Sequence, residues 1–216
     1  MVQSRVVCAL AGAALSVLVL GGCAGGDPGV DQTPAPSVPA SATASALPSA
    51  EPTPTPSPAS AEGPAVNIPV PEKPALADKN SVEGLEAFTE WWFELLNYAY
   101  ATNDLEPLWA VTDEGCTTCQ NIEESIQGVY ESDGWVVGGE VSLKSFDSQF
   151  EQNTAGSLSS FITITQSDAT YFDRSGEVTN ESPGFTEPRV NETIALYENG
   201  GWALLDVGSV NTGTAK

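Results

Sequence analysis

The 216-residue sequence contains no histidine and only seven lysine and arginine residues. Without imidazole, the chain lacks the side chain that titrates nearest neutrality and the commonest metal ligand. General acid–base chemistry would fall to carboxylates. The shortage of basic residues also limits what the chain binds. After residue 22, six basic side chains face 29 acidic ones, a side-chain charge of −23. Such a field repels phosphate backbones and anionic head groups, so nucleic acid is excluded as a partner. No apolar run reaches the roughly 20 residues that a membrane-spanning helix needs. No phosphate-binding loop, serine nucleophile motif or calcium loop occurs, and no cofactor is implied. Residues 1–71 contain no aromatic side chain.

The N-terminus reads as a secretory signal over residues 1–22. Arg5 supplies the positive charge, Val6 to Leu20 the apolar run, and Gly21-Gly22 the small residues before cleavage. Cys23 follows directly. Leu20-Gly21-Gly22-Cys23 resembles a bacterial lipobox. That resemblance implies that the Cys23 thiol is acylated (palmitate-type chains) and becomes the first mature residue. The other readings are an ordinary signal peptide with a chance cysteine, or an uncleaved anchor. Each buried methylene contributes about 0.8 kcal/mol, so two or three acyl chains hold firmly where one holds marginally. The expected location is the cell membrane, lipid-anchored, on the extracytoplasmic face. Cys8 falls in the discarded segment.

Residues 23–71 read as a disordered tether. Thirteen of the sixteen prolines lie between Ala24 and Pro74, among alanine, serine and threonine. With almost no large aliphatic residue, this segment cannot bury a core. Alternating X-Pro pairs such as Glu51-Pro52-Thr53-Pro54 favour polyproline II, and about fifty residues at about 3.1 Å each span roughly 100–150 Å.

Residues 72–216 read as one globular domain, large enough for a core. A first helix is expected over Ser81–Thr102, capped by Asn80 with Glu83 as capping-box partner. Leu85, Phe88, Trp92, Leu95, Leu96 and Ala99 share one face, and Glu83, Glu86, Glu90 and Glu94 lie opposite. A short helix over Leu105–Val111 and a third over Gly115–Glu131, with Asp113 as cap, follow. After Asp133-Gly134 the apolar period changes to two. Trp135–Phe146 is expected as a strand bulged at Gly138-Gly139, and Leu158–Gln166 as a second, extending towards Phe172. Residues 174–188 read as a polar loop. Arg189–Glu198 and Trp202–Val207 form a hairpin about Asn199-Gly200. The fold class is α+β: three N-terminal helices packed against a curved antiparallel sheet of about four strands.

Three stretches carry a family resemblance: Glu83 to Asp104 with Asn97-Tyr98-Ala99 near the helix end, Cys116-Thr117-Thr118-Cys119, and Gly138-Gly139-Glu140. Together they resemble a domain-of-unknown-function family of actinobacterial lipoproteins with the same signal, linker and domain layout. The resemblance covers roughly residues 72–210 and implies no established activity. The order of elements also resembles the nuclear-transport-factor-like (ketosteroid-isomerase-like) superfold, a cone whose sheet curls around the first helix.

Cys116 and Cys119 are the only thiols left after Cys8 and Cys23 are assigned. In an oxidising compartment they read as a structural disulfide. A redox-active pair is the second reading, although Asp113 and Glu114 beside it would raise a thiol pKa. Zinc, the third, lacks further ligands. Trp92, Tyr98, Trp202 and Asp206 are candidates to line a pocket between the first helix and the sheet. Asp206 and Glu192 stand in strands that otherwise alternate apolar, so either could enter such a cavity; the other reading has them facing solvent or at strand ends. The favoured role is a non-enzymatic binding module for an envelope protein or wall component. The alternative is an enzyme of the cone superfold using a cavity carboxylate.

Overall fold

The computed structural model describes residues 54–210. The signal segment, Cys23 and the tether up to residue 53 lie outside the described residues, as do residues 211–216.

Helix α1 covers Val82–Thr102. Its N-cap is Ser81 rather than Asn80: the extended Ser81 backbone brings its hydroxyl to accept from the Gly84 N–H at 3.1 Å. The Glu83 carboxyl is held below the usual carboxylate range by a backbone N–H bond and by Ser81. Asn103, left-handed at φ 60°, ends the helix and donates its N–H to the Ala99 carbonyl at 2.8 Å. Leu85, Phe88, Trp92, Leu95, Leu96 and Ala99 are buried along one face. Trp91 and Phe93 are buried beside them, so α1 is wrapped over most of its circumference. Each large side chain so buried contributes about 1.5–3 kcal/mol. Glu83, Glu90 and Glu94 remain exposed.

Helix α2 is one turn, Glu106–Trp109, and α3 runs Thr117–Tyr130. Cys116, not Asp113, is the N-cap of α3. Asp113 instead closes the preceding turn, its carboxylate accepting from the Gly115 N–H at 2.8 Å.

Seven strands follow rather than about four. They are β1 (Trp135–Gly138), β2 (Val141–Asp147), β3 (Leu158–Gln166), β4 (Ala169–Phe172), β5 (Val178–Ser182), β6 (Phe185–Glu198) and β7 (Gly201–Ser209). Two antiparallel sheets form, β1-β4-β5 and β2-β3-β6-β7. The expected bulge at Gly138-Gly139 is a corner that passes the chain from one sheet to the other. Both glycines have positive φ (79° and 80°), and a side chain on Gly138 would collide with the Asp168 carbonyl. The partner ribbon turns at the same place, between β3 and β4. Gly139 donates to the Asp168 carbonyl at 2.9 Å, and Ser167 to the Glu140 carbonyl at 3.0 Å. The loop expected over 174–188 instead contains β5 and the start of β6. Every residue of β5 is exposed, so it has no buried face to produce an alternating pattern.

The β6–β7 hairpin turns at Asn199 and Gly200, φ 52° and 86°, the double positive φ of a type I′ turn. One face of the four-stranded sheet buries Leu158, Ile162, Ala195, Trp202, Leu204 and Val207 in a single core with α1. The ordered chain before α1 is part of the same body. Its Ala75–Asp78 turn is fastened by Trp202 Nε1 donating to the Lys79 carbonyl at 2.9 Å and by Tyr197 donating to the Asp78 carbonyl at 2.9 Å. Upstream, residues 57–66 fold back on themselves through Ser57–Val66 and Ser60–Gly63 pairs. Two indoles hold this arm: Trp135 Nε1 donates to the Ser60 carbonyl at 2.8 Å, and Trp91 Nε1 to the Pro71 carbonyl at 3.0 Å. Composition alone assigns this stretch to the tether.

Candidate functional site

The four pocket candidates do not meet. Trp92 is fully buried, and its indole N–H donates to Thr112 Oγ1 at 2.8 Å, which in turn donates to the Leu108 carbonyl at 2.7 Å. Its ring borders a cleft of about 200 Å³, with Leu96, Ile122, Val207 and the buried Asn191. Trp202 is core, its ring 4.9 Å from that of Tyr197 and 6.4 Å from that of Phe88. Asp206 is exposed on β7. Its Oδ1 accepts from the Val207 N–H at 2.9 Å and sits 3.8 Å from Cys116 Sγ. Glu192 is half-buried opposite the exposed Phe161. Neither carboxylate lines the cleft beside Trp92.

The Cys116 and Cys119 sulfurs are 2.00 Å apart, at disulfide distance, and both residues are buried. Cys116 Sγ also accepts from the Cys119 N–H at 3.2 Å, so it closes the first turn of α3. No group of side chains suited to a metal ion occurs among the described residues.

Tyr98 leads to a different place. It lines a groove of about 400 Å³ between the arm and the second half of α1. Pro58, Ala59, Ala65, Ile68, Pro69 and Pro71 form one wall. Tyr98, Tyr100, Ala101 and Val136 form the other, with Glu94 and Glu140 also lining it. Asn97 lies in this groove, yet its amide is committed. It donates to the Val141 carbonyl and accepts from the Val141 N–H, both at 2.9 Å, pinning the start of β2 to α1. Tyr98 donates to Asp104 Oδ2 at 2.9 Å, and burial followed by that carboxylate raises its hydroxyl above the usual tyrosine range. Burial does the same to Tyr100. Glu140 is positioned by Ser167, whose hydroxyl donates to its Oε2 at 3.2 Å.

Sequence reasoning misses this groove, because half of it is built from the arm. The one available clue is Ile68 flanked by Pro69, Val70 and Pro71, an aliphatic cluster unlike the residues before it.

A family sequence profile matches residues 54–208, which covers the arm and every element described above but for the last residue of β7. The chain belongs to DUF6318, a family of unknown function. The DUF6318 match begins at residue 54, the first described residue. No curated protein matches the chain. Among solved structures, the intermembrane space region of chloroplast protein ARC6 is similar at 10% identity and a TM-score of 0.43. That match covers 60% of this chain and 95% of that one. Aln2 from a Streptomyces species is similar at 13% identity and a TM-score of 0.35, over 56% and 88% of the two chains. A protein with a cystatin-like fold from Caulobacter vibrioides is similar at 14% identity and a TM-score of 0.35, over 60% and 92%.

Proposed function

We propose that this chain is an actinobacterial lipoprotein, anchored through acylated Cys23 on the extracytoplasmic face of the cell membrane. Its DUF6318 domain is a non-enzymatic module that binds an envelope protein or wall component. We read the domain as a cone of the nuclear-transport-factor-like kind, with α1 inside the curved sheet. One observation carries the reading. The space between α1 and the sheet is occupied by Phe88, Trp92, Leu95, Leu158, Ile162 and Leu204, all at most 1% exposed. The small cleft beside Trp92 has no acidic or basic side chain in its lining. A filled interior and an uncharged cleft support the binding module over proton transfer by a cavity carboxylate. The Cys116–Cys119 pair at disulfide distance fits an oxidising compartment.

Two experiments test this reading. Cys23→Ser should release the protein from membranes into the soluble fraction, and intact mass should show diacylglycerol only on the parent. Retention of the variant on membranes overturns the anchor. Photo-crosslinkers at the exposed positions Glu94, Phe161 and Val178, used in living cells, should yield one reproducible partner from at least one site. Absence of adducts at all three overturns the binding module.

A further inference from the structure

Taking the binding-module reading as its basis, the geometry points to a ligand for the groove beneath the arm: a small organic cation with an apolar body. Three features define that chemistry. The volume, about 400 Å³, falls within the roughly 300–1,000 Å³ of small-molecule sites. The walls are proline rings, Ala59, Ala65, Ile68, Val136 and two tyrosine rings, which take an apolar body by burial. The charged groups are acceptors. Glu94 and Glu140 are exposed carboxylates of its lining, and no lysine or arginine lines it.

Two of the side-chain donors in the lining are already committed. The Asn97 amide is paired with Val141, and the Tyr98 hydroxyl with Asp104. A carboxylate or phosphate head group would therefore meet two like charges and find no basic side chain. An ammonium group would find Glu94 and Glu140 as counter-charges in the same lining. The arm encloses the site from one side, fixed at both ends by Trp135 on Ser60 and Trp91 on Pro71. It contributes the apolar wall that α1 alone lacks.

The test uses the full-length chain carrying Cys23→Ser and three probes of equal length: octylammonium, octanol and octanoate. Calorimetric titration should give octylammonium the highest affinity, octanol less and octanoate none. Glu94→Gln/Glu140→Gln should weaken octylammonium about three- to tenfold and leave octanol unchanged, as expected for two partly solvated charge contacts. The acidity of the whole domain is controlled by Glu124→Gln/Glu131→Gln, two exposed positions on α3 and at its C-cap, away from the groove, which should leave the affinity unaltered. Amide chemical-shift changes should centre on Ile68, Tyr98 and Val136. Octanoate binding as well as octylammonium, equal weakening by both double variants, or shifts centred elsewhere each overturn the proposal. So does binding of a lysine-containing apolar peptide when octylammonium does not bind, which would make the groove a peptide site. Crosslinking from Phe161 or Val178 is unaffected by these outcomes, so loss of the ligand and loss of the binding module are distinguishable.

Discussion

At Gly84 the first turn of α1 runs against the Lys79 carbonyl, and a Cβ there would collide with that oxygen and press on the Lys79 side chain. Helix propensity alone would favour Gly84→Ala by about 1 kcal/mol. Backbone overlap reverses the sign, because the turn held by Trp202 and Tyr197 must move. The expected loss is about 1–3 kcal/mol in urea unfolding; a gain in stability would refute the close approach. Tyr130 gives a pH-dependent test. Its hydroxyl donates to the Tyr100 carbonyl at 2.9 Å, and burial pushes its pKa up to about 12. Above about pH 10 an unfolded tyrosine releases its proton while the folded one keeps it. The unfolded state then binds fewer protons, so stability falls from about pH 10 to about pH 12. Tyr130→Phe should shrink the drop in urea midpoint between pH 9 and pH 11, and an undiminished drop would remove burial as the cause. Some residue-scale features are readable in advance. The cap of α1 falls one position from where the sequence places it, since cap choice depends on which residue turns extended. The Asn97 clamp is not readable, because its partner lies 44 positions away in sequence.

Among the elements, α1 is readable because six apolar residues repeat at helical spacing over a long segment. The hairpin is readable because Asn199-Gly200 is chemically suited to two positive φ angles. The corner between the sheets is only half readable. Gly138-Gly139 marks an irregularity, but a bulge and a sheet change look alike until the partner strands are known. Strand β5 has no signature, since an edge with no buried face has no period. The cysteine pair can be tested at this scale. Cys116→Ala/Cys119→Ala removes a very short covalent loop, for which chain entropy predicts a loss of about 2 kcal/mol. The variant should unfold at lower denaturant and leave cellular mixed disulfides unchanged. Loss of such adducts would instead make the pair redox-active.

For the whole molecule, charge is the dominant quantity. The formal net charge is −22, and Lys73–Asp78 is the one salt bridge among the described residues. The folded state therefore holds many like charges close together, and screening should relieve it. Raising NaCl from about 10 mM to about 500 mM, where the screening length falls from about 30 Å to about 4 Å, should raise the melting temperature by several degrees. A flat or falling curve would mean that specific ion pairs outweigh self-repulsion.

The sequence by itself determined the acidity, the lipobox-like Cys23, the α+β order and the core face of α1. These depend on composition, on local chemistry or on a period repeated within one segment. Only the tertiary structure decided that residues 57–71 lie on the domain, that Trp92, Tyr98 and Trp202 go to three different places, and that Asp206 stays outside. Each of these depends on which distant surface a segment meets. The arm is the clearest case: prolines and alanines bury little by themselves, yet two indole N–H groups and a tyrosine-lined helix face give them a seat.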